Sequence, residues 1–253
     1  MPVVKDIQLT FLKRKERISN IETLKLTSSS NYDEDTSFFK ETRCITSLYW
    51  RYIPKLRTDY EKGILIHCVD DISLLNQWVK EYRNFPEYIN VFVEFGNEQN
   101  FSDLPDRKKK ELALQIIHSE MKNLAVKYDW DVEELEKVYN KIMELDYKNE
   151  LVYIKKNSPN KKYVCNIVCQ HEVSYMDIYL EIREFRTKRL IKQEKLIREQ
   201  ETYETEIFSH VSDLVWKLNH KVVLTNDRGK ETWVLTFLEK EHPYNLVWKI
   251  EKL

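Results

Sequence analysis

Three groups of residues in this chain have types and spacings that could do chemistry. Cys165, Cys169 and His171 lie two or four residues apart within YVCNIVCQH. On a strand all three face one side. With His67 or Cys68 from another strand they would supply the four soft ligands of tetrahedral zinc. The spacing C-x3-C-x-H is not that of a zinc knuckle, and cysteine is often simply buried, so no metal is expected. Asp70, Asp71 and Glu94 stand near the ends of two apolar runs, 64–69 and 89–95. If those runs are adjacent parallel strands, the three carboxylates share the crevice where ligands gather, and could hold a divalent cation for nucleic-acid cleavage. The plainer reading is a helix cap plus an exposed strand carboxylate. The segment RTKRLIKQEKLIR (186–198) carries six basic residues and one Glu, and could lie along a phosphate backbone. Glu199, Glu201, Glu204 and Glu206 follow at once and would repel that backbone if the element continues.

Those same glutamates, with Asp33, Glu34 and Asp35, form local acidic patches. A basic protein partner would find such patches quickly, because complementary charge speeds encounter. They are the candidate partner-binding residues, against the ordinary reading of solvated loops and helix faces. The six histidines are scattered, and no Ser or Cys near any of them forms a readable nucleophile pair. His118 reads as a packed or exposed helix residue. No catalytic residue is assigned.

What must position these groups is constrained by composition. Only three glycines occur in 253 residues, at 63, 96 and 229, against roughly 7% in average proteins. Loops that cradle phosphate or dinucleotide need several glycines close together. No nucleotide cofactor is therefore expected. Net charge is −1, so no global field draws the chain toward nucleic acid or lipid. Fifteen Tyr, ten Phe and six Trp mark a chain that buries a core. Four sparse cysteines do not make a disulfide framework. The opening Met-Pro-Val-Val-Lys-Asp lacks the apolar stretch of a secretory signal, and no run reaches eighteen apolar residues. A reducing cytoplasm is the expectation. The Lys, Asn, Ile and Glu content resembles an AT-rich bacterial coding bias.

Periodicity predicts strands at 3–12, 21–27 and 43–53, then a strand–helix–strand unit at 64–69, 72–84 and 89–95. Helices are expected at 105–128 and from Asp131 to about 147, the second opened by a capping-box-like spacing at Asp131-Val-Glu-Glu134. The second half opens with a hairpin, 151–154 and 163–171. Residues 175–182 alternate as a strand, with a helix from Ser174 as the rival reading. A long helix is expected over 186–219, because Leu190, Ile197, Phe208, Val211, Val215 and Leu218 fit helical spacing. Strands at 222–225, 232–240 and 245–252 complete an antiparallel meander. The fold class is thus α+β: two β-rich lobes, 1–148 and 149–253, joined by a central helical pair, with a C-terminal antiparallel meander.

The ending TWVLTFLEK…NLVWKIEK resembles the last two strands of nuclear-transport-factor-like cone folds, in which two long curved strands each carry a Trp. More broadly, the chain resembles the single-gene immunity proteins of bacterial polymorphic toxin systems, which tend to be cytoplasmic, α+β, poor in catalytic motifs and rich in charge and aromatics. That resemblance implies a non-enzymatic inhibitor that neutralises a toxin by protein–protein contact, without a membrane or cofactor. The alternatives are a metal-dependent nucleic-acid-cleaving enzyme and a nucleic-acid-binding regulator.

Overall fold

The computed structural model describes residues 2–14, 32–34, 36–70, 72–74, 76, 79, 87–95, 101–200, 207–240 and 245–253. The expected strand at 21–27 and most of the expected helix at 72–84 lie outside them. The fold is mixed α+β, and it divides into two units, Met1–Tyr147 and Lys148–Leu253.

The first unit is an α/β layer. Strands β1 (Ile7–Arg14), β2 (Tyr32–Glu34), β3 (Gly63–Val69) and β4 (Tyr88–Glu94) form one sheet in the order β2-β1-β3-β4. β1, β3 and β4 run parallel and β2 is antiparallel. Every residue of β3 is buried, as an unbroken apolar run in a covered parallel sheet should be. The strand starts at glycine for a steric reason. Gly63 stands opposite Tyr88, and a Cβ at 63 would overlap the Tyr88 ring.

Residues 43–53 are not a strand. They end helix α1 (Thr36–Tyr52). A window opened at 43 sees β-branched and aromatic residues. Opened at 36, it shows Phe38, Thr42, Ile45 and Tyr49, all buried at helical spacing. The Thr42 hydroxyl donates back to the Phe38 carbonyl at 2.9 Å, which lets a β-branched polar residue sit inside a helix. Helices α2 (Asp106–Tyr128) and α3 (Val132–Glu144) follow close to expectation. Asp129, with φ 54°, ends α2 in the left-handed region. The Asp131 carboxylate then caps α3, accepting from the N–H groups of Glu133 and Glu134. This pair belongs to the first unit: Tyr49 and Glu41 of α1 reach His118 and Lys109 of α2.

The second unit is two four-stranded antiparallel meanders. β5 (Asn149–Asn157), β6 (Tyr163–His171), β7 (Met176–Glu184) and β8 (Leu190–Glu199) make the first. A single helical turn, α4 (Ile207–His210), leads to β9 (Asp213–Leu218), β10 (Lys221–Thr225), β11 (Glu231–Glu239) and β12 (Leu246–Lys252), ordered β12-β11-β10-β9. Tyr163, Ile167 and Leu180 of one sheet share a core with Val222, Leu224 and Phe237 of the other, as facing layers do. β11 and β12 pair over seven residues. Trp233 and Trp248 both pack on that core, so the quoted ending is a long Trp-bearing hairpin facing a second sheet.

Met176–Glu184 is strand, which settles the rivalry with helix. The long helix expected over 186–219 is absent: 190–199 is β8 and 213–218 is β9. Its false periodicity has a cause. The β7–β8 register shifts between Ile178 and Tyr179 and between Ile182 and Arg183. Such bulges insert an extra residue into a strand and break its two-residue period. Apolar residues then fall in doublets, Leu190-Ile191 and Leu196-Ile197, whose outer members, Leu190 and Ile197, are seven apart and imitate a helix face. Among the described residues, no helix is long and apolar enough to cross a membrane.

Candidate functional site

The carboxylate group is split by strand geometry. β3 and β4 are adjacent and parallel, but Val69, not Asp70, stands opposite Glu94. Asp70 lies past the end of β3, outside the ladder that holds Glu94. Asp71 lies outside the described residues, and no three of the described His, Cys, Asp and Glu residues could jointly hold a metal ion. Cys165, Cys169 and His171 do share one face of β6, opposite Ile182, Ile178 and Met176. That face is the apolar core. Burial pushes the Cys165 and Cys68 thiols well up, so both stay protonated and are poor ligands or nucleophiles. His67 is committed elsewhere. Its Nδ1 is 2.8 Å from the Thr10 hydroxyl and its Nε2 2.9 Å from Asn90 Oδ1. One hydrogen-bonded row thus crosses β1, β3 and β4, and burial holds the ring pKa below its ordinary value.

Three cations of the basic stretch meet carboxylates while staying partly in solvent. Arg198 grips the nearly buried Asp177 with two bonds of 2.7 Å, Lys195 stands 3.6 Å from the same carboxylate, and Tyr179 donates to it. The Arg198 hydrogen bonds hold the Asp177 carboxyl below its usual range. Arg189 pairs with Glu184, and Lys192 lies over the Trp248 ring. Arg183, just outside the stretch, forks onto Glu181. Arg198 and Lys195 of β8 thus pair across to Asp177 of β7. Of the acidic candidates, Glu199 accepts from His210 Nε2 at 2.7 Å. Asp33 and Glu34 lie on β2, but their side chains, with Asp35, Glu201, Glu204 and Glu206, lie outside the described residues.

Two constellations escape a sequence reading. In the first, His118 of α2 bonds Tyr49 of α1 through Nδ1 (3.3 Å) and Glu136 of α3 through Nε2 (3.2 Å), and its ring stacks on Tyr139. Lys122 fixes Glu136 at 2.6 Å. Burial depresses the His118 pKa and raises that of Tyr49, so a neutral imidazole accepts from a phenol and donates to a carboxylate. The cluster floors a pocket of about 270 Å³ lined by Gln115, Ser119, Lys122, Asn123 and Tyr139. Both ring nitrogens are in use, so the imidazole locks three helices together and directs no lone pair at the pocket.

The second is the segment from the end of α1 to β3. Trp50 (40% exposed), Tyr52 (40%) and Tyr60 (65%) lie there, and they are every exposed aromatic side chain among the described residues. The loop beneath is held on several sides. Val4 N–H donates to the Leu56 carbonyl (3.0 Å), Thr58 N–H to Pro2 (3.2 Å) and the Thr58 hydroxyl to Glu61 (2.6 Å). Trp130 Nε1 donates to the Arg57 carbonyl at 2.8 Å, and the Tyr128 hydroxyl to Glu61 at 3.2 Å. Tyr128 and Trp130 stack 5.0 Å apart. Burial and the neighbouring Glu61 carboxylate push the Tyr128 phenol up to about 12, so it remains a donor. Pinned loops present side chains without paying much ordering entropy on binding. Neither constellation has a local signal: Tyr49 and His118 are 69 residues apart, and Arg57 and Trp130 are 73 apart.

No family model matches this chain. It is 24% identical over 229 residues to reticulocyte-binding protein homolog 1 of Plasmodium falciparum (isolate 3D7). That alignment covers 77% of this chain and 7% of the Plasmodium protein, so the chain is similar to a short stretch of a far longer one.

Proposed function

We propose that this chain is a non-enzymatic binding protein of the immunity or inhibitor kind, neutralising a toxin by protein–protein contact. One observation carries the reading: among the described residues, the exposed aromatic side chains are gathered in residues 50–60, at the end of α1 and on the following loop, which Trp130 and Tyr128 tie down. Tyr and Trp are enriched at interfaces and in their energetic centres, because they bury much area for little lost rotamer freedom. Engagement of the chemically active groups by their own neighbours supports the same reading, with His67, His118 and Asp177 as the clearest cases. A cytoplasmic, bacterial setting belongs to the proposal and rests on the composition and on four cysteines that are buried and not in disulfides. The aligned Plasmodium protein has reticulocyte binding in its name, but a match to 7% of its length does not name a partner here.

The test is co-expression with the product of the neighbouring gene. The neighbour should be toxic alone, tolerated with this chain, and co-purify with it. Trp50→Ala and Tyr60→Ala should each weaken that complex by about tenfold or more with an unchanged circular dichroism spectrum. A harmless neighbour that does not co-purify removes the reading.

A further inference from the structure

The edge of the second meander has a backbone pattern that suits one partner. β12 pairs with β11 on one side, and no other described strand pairs with it. Lys240 N–H donates to the Asn245 carbonyl and Leu253 N–H to Thr232, both at 2.9 Å. In an antiparallel ladder, bonded pairs alternate with non-bonded ones. Residues 245, 247, 249, 251 and 253 therefore aim their N–H and C=O groups at β11. Leu246, Trp248, Ile250 and Lys252 aim theirs outward.

The side chains at this edge are unusually apolar for a strand border. Leu238 (66% exposed), Val247 (47%) and Leu253 (67%) are exposed, and Leu238 and Val247 are cross-strand partners. Lys249 and Glu251 lie between them on the same face and pair with each other along the strand. Open edges with exposed apolar residues are templates for another strand.

We infer that β12 is a homodimer seam, pairing antiparallel with β12 of a second copy about a two-fold axis at Ile250. In this register Ile250 faces its own equivalent, Trp248 faces Lys252 of the second copy, and Lys249 faces its Glu251. The outward-pointing residues 248, 250 and 252 meet one another, so each pair closes two backbone hydrogen bonds. Every Lys249 gains a carboxylate across the seam, giving an alternating square of four charges. Val247 meets Leu253 of the second copy, which covers the exposed apolar row. Sliding the axis to Lys249 would set two lysines face to face, which cross-strand energetics disfavour. The seam is remote in sequence from residues 50–60 and does not depend on the function proposed above.

Sedimentation velocity of the full chain over a range of concentrations reads the association directly. The expectation is a reversible dimer. Lys249→Glu sets like charges opposite each other twice per dimer and should weaken it by about tenfold, as should Glu251→Lys. The double variant Lys249→Glu/Glu251→Lys restores both pairs and should dimerise like the original. Circular dichroism checks that each variant is folded. A monomer at every concentration overturns the inference. So does a dimer indifferent to the single substitutions, or one that the double variant fails to rescue.

Discussion

The parallel sheet of the first unit and the β5–β8 sheet of the second hold their buried polar groups by different means. In the first, three parallel strands are crossed by a neutral row, Thr10–His67–Asn90. In the second, the polar face of the β5–β8 sheet is crossed by ions, with Arg198 on Asp177 and Arg183 on Glu181. The difference follows from exposure. β3 is buried along its whole length, where a charge would cost several kcal/mol to desolvate. β8 is an edge strand, and the Arg198 side chain is 42% exposed. Its guanidinium therefore stays hydrated while neutralising a carboxylate further in. Neutral rows suit a covered parallel sheet, and ion pairs suit a half-open antiparallel one.

The sharpest way to break this comparison is to remove the centre of each network. His67→Ala should cost about 3 kcal/mol, because it leaves a cavity and two buried partners without their bonds. Denaturant unfolding measures it, and a cost under about 1 kcal/mol would make the row incidental. Arg198→Ala should cost less, about 1–2 kcal/mol, since the pair is partly screened and Lys195 remains beside Asp177. A loss equal to that of His67→Ala would erase the distinction. Asp131→Ala, which removes a solvent-side cap rather than a buried link, should cost about 1 kcal/mol.

Acid is the gentlest perturbation and separates the networks by pH window. The folded pKa of His67 lies below its ordinary 6.5. The stability its neutral ring contributes is complete above pH 6.5 and is lost as pH falls from there toward the folded value. The folded pKa of Asp177 lies below 3.8. Its contribution is complete above 3.8 and is lost only as pH falls through the lower folded value. Amide hydrogen exchange at Thr10 and His67 should rise first, at mildly acid pH, while amides at Asp177 and Arg198 hold until about pH 4. Simultaneous loss would show that the pairs do not act locally.

Elements with an uninterrupted period were legible from the amino acids. β3, α2, α3 and the last three strands all appear where periodicity and caps put them. Elements whose period is interrupted were not. The two bulges in β8 turned a strand pattern into an apparent helix, and α1 is a helix whose second half, taken alone, has the composition of a strand. The candidate sites fared according to distance along the chain. Cys165, Cys169 and His171 share a face, as a two-residue period requires. Asp70 and Glu94 form no metal-holding group with a third described His, Cys, Asp or Glu, and Val69 rather than Asp70 is the partner of Glu94, because only the sheet sets register.

The amino acids alone determined the class of this protein: α+β, closed by a C-terminal meander, with too few glycines for a phosphate-cradling loop. These are consequences of local period and composition, which need no knowledge of what lies across the fold. Tertiary structure alone decided which chemically able residues are engaged and which face outward. It joined His118 to Tyr49 and Glu136, spent the basic stretch on Asp177 and Glu184, and tied the aromatic segment 50–60 to Trp130. Each of those contacts joins separate helices, strands or loops, and a contact between elements is fixed by packing and register rather than by spacing along the chain.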